Sequence, residues 1–129
     1  LKCDDMELIV YGHQTLMVSA QCVQKNYDKC TKCPKMIELT DRQKKHFYVY
    51  NECDFCYNKI YNGLPTILFD KKKEILSLNP ASVRIHFTME SPSMIRHILS
   101  SYEKIYEGQS MEKDILKEFT RGHFTRGIE

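Results

Sequence analysis

Two Cys-x-x-Cys pairs, Cys30 with Cys33 and Cys53 with Cys56, stand nineteen residues apart. At that spacing two pairs of soft thiolates can close a tetrahedral zinc site. Four thiolates equally suit an iron–sulfur cluster, so spacing leaves the choice between zinc and iron open. Cys22 lies eight residues before Cys30, which makes Cys22, Cys30, Cys33 and Cys56 as feasible a set as the two pairs, with Cys53 then a spare. Lys29, Thr31, Lys32 and Asp54 flank these cysteines and argue against a buried apolar niche. Cys3, in a polar context, reads as an unligated thiol.

Other chemistry is sparser. His86 sits between apolar neighbours and His123 between Gly122 and Phe124, so either could serve as a ligand or an acid–base group, although a structural role suits each of them alone. The chain has no Gly-x-Ser-x-Gly elbow, His-Glu-x-x-His helix or phosphate-binding glycine loop, so it does not display a complete catalytic machine of those kinds. Lysine plus arginine exceeds aspartate plus glutamate by only two (19 − 17), too little to argue for nucleic acid from net charge. The basic residues do concentrate locally, at Arg42, Lys44 and Lys45, at Lys71–Lys73, and at Arg121 and Arg126. Such groups read as solvated loops unless the fold gathers them against phosphates.

The cysteines must be positioned by short elements. Residues 7–11 form an apolar run ended by Gly12, too short for a helix and rich in β-formers, as a buried strand requires; residues 16–18 suit a second extended piece. From Gln21 to Lys35 neither period is visible, so this cysteine-bearing stretch needs something other than apolar burial to hold it, and a metal would serve. Residues 36–39 and 47–50 are strands of a hairpin around the charged residues 41–45. The pattern then predicts a helical turn over 57–61, an extended piece over 66–69, a short helix over 71–78 and a strand over 83–87. Ser91 followed by Pro92 starts a helix that stops at Gly108. Its stripe of Met94, Ile95, Ile98, Leu99, Tyr102, Ile105 and Tyr106 must cover a sheet or another helix. A last helix is expected over 111–119, followed by a glycine-bounded loop.

At 129 residues with ordinary apolar content, one small α/β domain is expected, with residues 1–70 carrying the cysteine-bearing strands and loops and residues 71–129 the helix–strand–helix and terminal loop. The abrupt start at Leu1 reads as a piece of a longer protein. No signal peptide and no stretch of about 18 apolar residues is present, and closely spaced thiols suit a reducing compartment, so a soluble, cytoplasmic setting without membrane attachment is expected.

With these segments read, Glu7-Leu-Ile-Val-Tyr-Gly12, Leu16-Met-Val-Ser-Ala-Gln-Cys22, Leu39-Thr-Asp-Arg42, Phe47-Tyr-Val49, Cys56-Tyr-Asn-Lys-Ile-Tyr-Asn62 with Pro65, Val83-Arg-Ile-His-Phe-Thr88 and Thr120-Arg-Gly-His-Phe-Thr-Arg-Gly127 resemble, in order, peptidase family U-32, the collagenase-like peptidases. The chain departs from the family pattern at Lys44, where glycine is usual, at Tyr48, where proline often precedes valine, and at Thr15, where one branch has a further cysteine.

The resemblance implies the C-terminal half of a (β/α) barrel-like domain with a cysteine-rich metal-binding loop and a hairpin insertion. Its partners would then include the absent N-terminal half or, through exposed edges, a second copy. The family name implies proteolysis, yet its better understood branches carry a 4Fe-4S cluster on four cysteines and take part in oxygen-independent hydroxylation of RNA bases or of a quinone precursor. Carried over residue by residue, Cys22 and Cys56 match cluster ligands, Cys30 and Cys33 match by lying in the same loop, and Cys53 becomes the alternative member. The occupant implied is a 4Fe-4S cluster, with zinc as the alternative, and the partner is tRNA or ribosomal RNA contacted by Arg42, Arg84 and His123 near strand ends. A zinc-stapled structural module and a peptidase remain the competing expectations; four cysteine ligands would leave a catalytic metal no open position.

Overall fold

The computed structural model describes residues 5–27, 29–30, 32, 35–109 and 118–124. The chain is mixed α/β and forms two compact units, one of Leu1–Gly12 with Leu64–Glu129 and one of His13–Gly63. Each unit holds one open sheet, and among the described residues neither sheet closes into a barrel. Also among these residues, no helix is long and apolar enough to cross a membrane.

In the first unit, β1 (Glu7–Gly12) is the middle strand, antiparallel to β6 (Thr66–Ile67) and parallel to β7 (Ser82–His86). A parallel neighbour requires a crossover, and here the connection runs over residues 13–81, through the second unit and then β6, a 3-10 turn (Phe69–Lys71) and α2 (Lys72–Ser77). Gly12 has φ +146°, and a Cβ there would lie 2.5 Å from the carbonyl oxygen of His86, so the two strands close up because no side chain intervenes. The predicted extended piece over 66–69 is shorter than expected: the strand covers Thr66 and Ile67, the Leu68 N–H makes a last bond to the Val10 carbonyl at 3.0 Å, and Phe69 turns into the core.

The long helix α3 (Pro92–Tyr106) begins as its sequence requires. Ser91 Oγ accepts the Met94 N–H at 3.3 Å, with Pro92 at the first helical position. Ile98, Tyr102 and Ile105 carry its buried stripe into a core with Val10, Tyr11, Phe69 and Ile75, whereas Met94 and Leu99 remain exposed. The helix ends before Gly108, at φ +89°, and the Lys72 ammonium donates to the Ile105 and Tyr106 carbonyls at 3.1 and 2.9 Å. A cation there satisfies end carbonyls that have no partner within the helix.

Tyr102 meets Phe69 edge to face, with centroids 3.9 Å apart, but its hydroxyl is buried without a hydrogen-bond partner among the described residues. Burial pushes the phenol well above its ordinary pKa. Tyr102→Phe is therefore expected to stabilise the protein by about 1 kcal/mol in urea denaturation, since it removes an unsatisfied polar group and keeps the ring contacts.

The second unit is an antiparallel sheet in the order β2 (Thr15–Ser19), β5 (Tyr57–Asn62), β4 (His46–Glu52), β3 (Met36–Thr40). β5 corrects the helical turn expected over 57–61. Five residues gain little from an isolated helical turn, whereas Asn58 to Tyr61 pair with β2 on one side and Tyr57 to Asn62 with β4 on the other. The stretch read as irregular contains a short helix, α1 (Val23–Tyr27), whose five residues are too few to show a period. Most of the helix expected over 111–119 lies outside the described residues; Glu118 and Phe119, which are described, are not helical.

The β3–β4 hairpin forms as its charged centre suggests. Asp41 Oδ1 accepts the Gln43 and Lys45 N–H groups at 2.7 and 2.8 Å, and the Lys44 N–H bonds the Asp41 carbonyl at 3.0 Å. Lys44 then takes φ +61°. This is the left-handed position that follows a type I turn in a three-residue hairpin loop and that glycine fills best. An L side chain costs roughly 1–2 kcal/mol in that region, part of which glycine returns through its freer unfolded chain. Lys44→Gly is expected to raise stability by about 1 kcal/mol, read as a higher melting temperature.

Candidate metal centre

The register of the second unit explains how cysteines distant in sequence come to line one cavity. Ser19 pairs with Asn58, and Asn58 pairs with Asn51, so the three form one row across β2, β5 and β4. Beyond this row, at the same end of the sheet, lie the β2–α1 connection carrying Cys22 and the β4–β5 turn carrying Cys53 and Cys56. A cavity of about 300 Å³ opens there, walled by Cys22, Cys30, Cys53 and Cys56 together with Lys25 and Asn51. None of these four cysteines is in a disulfide.

Local geometry fixes the two cysteines nearest the sheet. The Cys22 carbonyl accepts the Asn26 N–H at 3.2 Å, tying it to the start of α1. Cys56 ends its turn at φ +54°, with its thiol 3.8 Å from the Cys53 carbonyl oxygen. Cys30 is exposed, and Cys33 lies outside the described residues, as does Cys3. Among the described residues no three His, Cys, Asp or Glu side chains form a group that could hold a metal ion. Cysteines from three separate segments nevertheless line one space, with Lys25 beside them, and thiolates together with a cation are the residue types that a metal–thiolate centre uses.

Two buried asparagines hold this end of the sheet. Asn58, fully buried, donates to the Ser19 carbonyl at 3.3 Å and to the Gln21 carbonyl, so it fastens the segment that leads into Cys22. Asn51, 1 % exposed, donates to Gln24 Oε1 on α1 at 3.3 Å. Both residues escape a reading of the sequence because an asparagine inside a strand ordinarily signals a solvent-facing position. Their one legible signal is the symmetric placement of each, two residues outside the ends of the Cys53–Cys56 turn.

The expected substrate contacts are not gathered at the cavity by this unit. Arg42 is exposed in the β3–β4 turn, at the opposite end of the seven-residue β4 from the cysteines, roughly 20 Å away along the strand. In the other unit, Arg84 lies on β7 and pairs with Glu7 at 2.6 Å, and His123 is exposed in the turn at 121–124. Several basic residues there already have structural partners: Arg121 pairs with Asp70 at 2.5 Å, Lys71 with Glu74 at 3.0 Å, and Lys72 caps α3. Reasoning from sequence missed Phe55, which is 77 % exposed in the Cys53–Cys56 turn with its ring 6.4 Å from that of Tyr57.

No family model matches the chain, and no curated protein or solved structure matches it significantly.

Proposed function

We propose that this chain is the C-terminal portion of a peptidase U-32-like barrel domain that holds an iron–sulfur cluster and supports oxygen-independent hydroxylation of an RNA base. The observation that carries this reading is the convergence of Cys22, Cys30, Cys53 and Cys56 on one cavity. At about 300 Å³ the space is large enough to admit a polynuclear centre. Cys22, Cys30 and Cys56 would each hold an iron, with the fourth ligand from Cys33 or Cys53. When bound, such a cluster supplies one-electron transfer.

The chain's own groups support an RNA substrate by their character. Phe55 presents an exposed ring in the turn between Cys53 and Cys56, the kind of surface on which an unpaired base stacks, and Lys25 puts a cation in the cavity wall. Arg42, Arg84 and His123 remain candidates for phosphate contacts. On the same reading β2, an edge strand exposing Leu16, Met17 and Val18, is where the absent half of the barrel or a second copy would pair.

A zinc-stapled module is the second reading, favoured by Cys53 and Cys56 sharing one tight turn. Metal analysis of protein prepared with and without oxygen separates the two. The cluster reading expects about four iron and four sulfide per chain under anaerobic preparation, with loss of both in air. One zinc per chain in both preparations, and no iron, would overturn it.

A further inference from the structure

Asn51 is part of the cavity wall, yet its amide is bonded only to Gln24, a residue outside that wall. An asparagine side chain offers two N–H donors and a carbonyl acceptor. Asn51 uses one donor, and its Oδ1, buried, has no partner among the described residues. An accepting sulfur cannot serve Oδ1; what points to an occupant of the cavity is the second Asn51 N–H, which has no partner among the described residues on a side chain 1 % exposed in the wall beside the cysteines. Asn58, directly across the ladder, differs: it is not part of the wall, and its amide is turned to the Ser19 and Gln21 carbonyls.

Resting on the cluster reading above, we infer that the Asn51 amide donates a hydrogen bond to a sulfur of the bound centre and sets its reduction potential. In either orientation of the amide about its terminal bond an N–H remains for the cavity. A donor to sulfur favours the reduced, more negative cluster, because the bond strengthens as charge accumulates on the acceptor. Gln24 acts as the positioning residue, holding the amide from α1.

The test is a redox titration of the anaerobically reconstituted chain, wild type against Asn51→Leu and Asn51→Asp, with iron and sulfide measured in each. Asn51→Leu keeps the branched shape of the side chain, at somewhat larger volume, and removes the donor. It is expected to retain iron and to move the midpoint potential negative by at least the 59 mV that corresponds to a tenfold change in a one-electron equilibrium. Asn51→Asp, isosteric and anionic, is expected to move it further in the same direction. If the wild type takes up no iron and sulfide, the cluster reading itself fails. If the wild type and Asn51→Leu both hold the cluster at the same potential, the cluster reading stands and the role of Asn51 falls. Should Asn51→Leu lose its iron, Asn51→Asp decides: an unchanged potential, or loss of iron there too, makes Asn51 purely structural and overturns the inference.

Discussion

Cys56→Ser is expected to lower the iron retained by anaerobically prepared protein at least tenfold, and Cys22→Ser to do the same. Both residues stand on the backbone that the sheet fixes. Cys56 ends the β4–β5 turn immediately before Tyr57, which pairs with Glu52, and Cys22 follows the segment that Asn58 holds by its carbonyls. A serine hydroxyl is harder than a thiol and ionises far less readily, so it replaces a soft thiolate ligand poorly. Even outer-shell partners of metal ligands are worth 10–100-fold in affinity, so loss of a ligand should cost no less.

The same series settles which cysteine completes the set. Cys30→Ser is expected to behave like Cys56→Ser. Of Cys33→Ser and Cys53→Ser, one should lose iron and the other should keep it, since four ligands are needed and five thiols are in reach by sequence and cavity together. Full iron content in Cys56→Ser, or in both Cys33→Ser and Cys53→Ser, would sink the four-cysteine centre. Circular dichroism of each variant separates ligand loss from unfolding.

How far such a site could be read beforehand depended on the range of the interactions involved. α3 was legible because its cap, its proline and its apolar stripe are all local, and the β3–β4 hairpin because Asp41 builds its own turn. β5 was misread because Tyr57–Asn62 becomes a strand only through partners on both sides, Thr15–Ser19 and His46–Glu52, which no local window contains. The type and spacing of the cysteines suggest a metal, but that Cys22, Cys30, Cys53 and Cys56 line one cavity follows from the row Ser19, Asn58, Asn51, a matter of cross-strand register. The division into units was hidden for a similar reason: β1 finds its parallel neighbour β7 some seventy residues later, with the whole of His13–Gly63 in between.

That register makes Asn58 the most sensitive residue of the second unit outside the cysteines. Its Nδ2 donates to the carbonyls of Ser19 and Gln21, its Oδ1 is buried without a partner among the described residues, and the side chain is fully enclosed. Asn58→Leu removes the donor to two carbonyls but also removes the unsatisfied oxygen. The expected loss is therefore only about 2 kcal/mol, against 1–3 for each buried group left without a partner. Asn58→Asp has almost the same shape and a much larger effect. At neutral pH the introduced carboxylate would face two carbonyl oxygens with no donor to offer, an uncompensated buried charge worth roughly 3–5 kcal/mol. Burial and the facing carbonyls must raise that carboxyl's pKa in the folded state above its unfolded value near 4. Stability is then greatest where the group is protonated in both states, below the unfolded value, and falls as pH rises through it until the folded group ionises too. Urea denaturation of Asn58→Asp relative to wild type should accordingly show a deficit that shrinks from pH 7 toward pH 4, whereas that of Asn58→Leu should stay constant. A deficit for Asn58→Asp that does not change with pH would mean that Asn58 is not held against those carbonyls. The cavity would then lose the anchor of the segment that leads into Cys22.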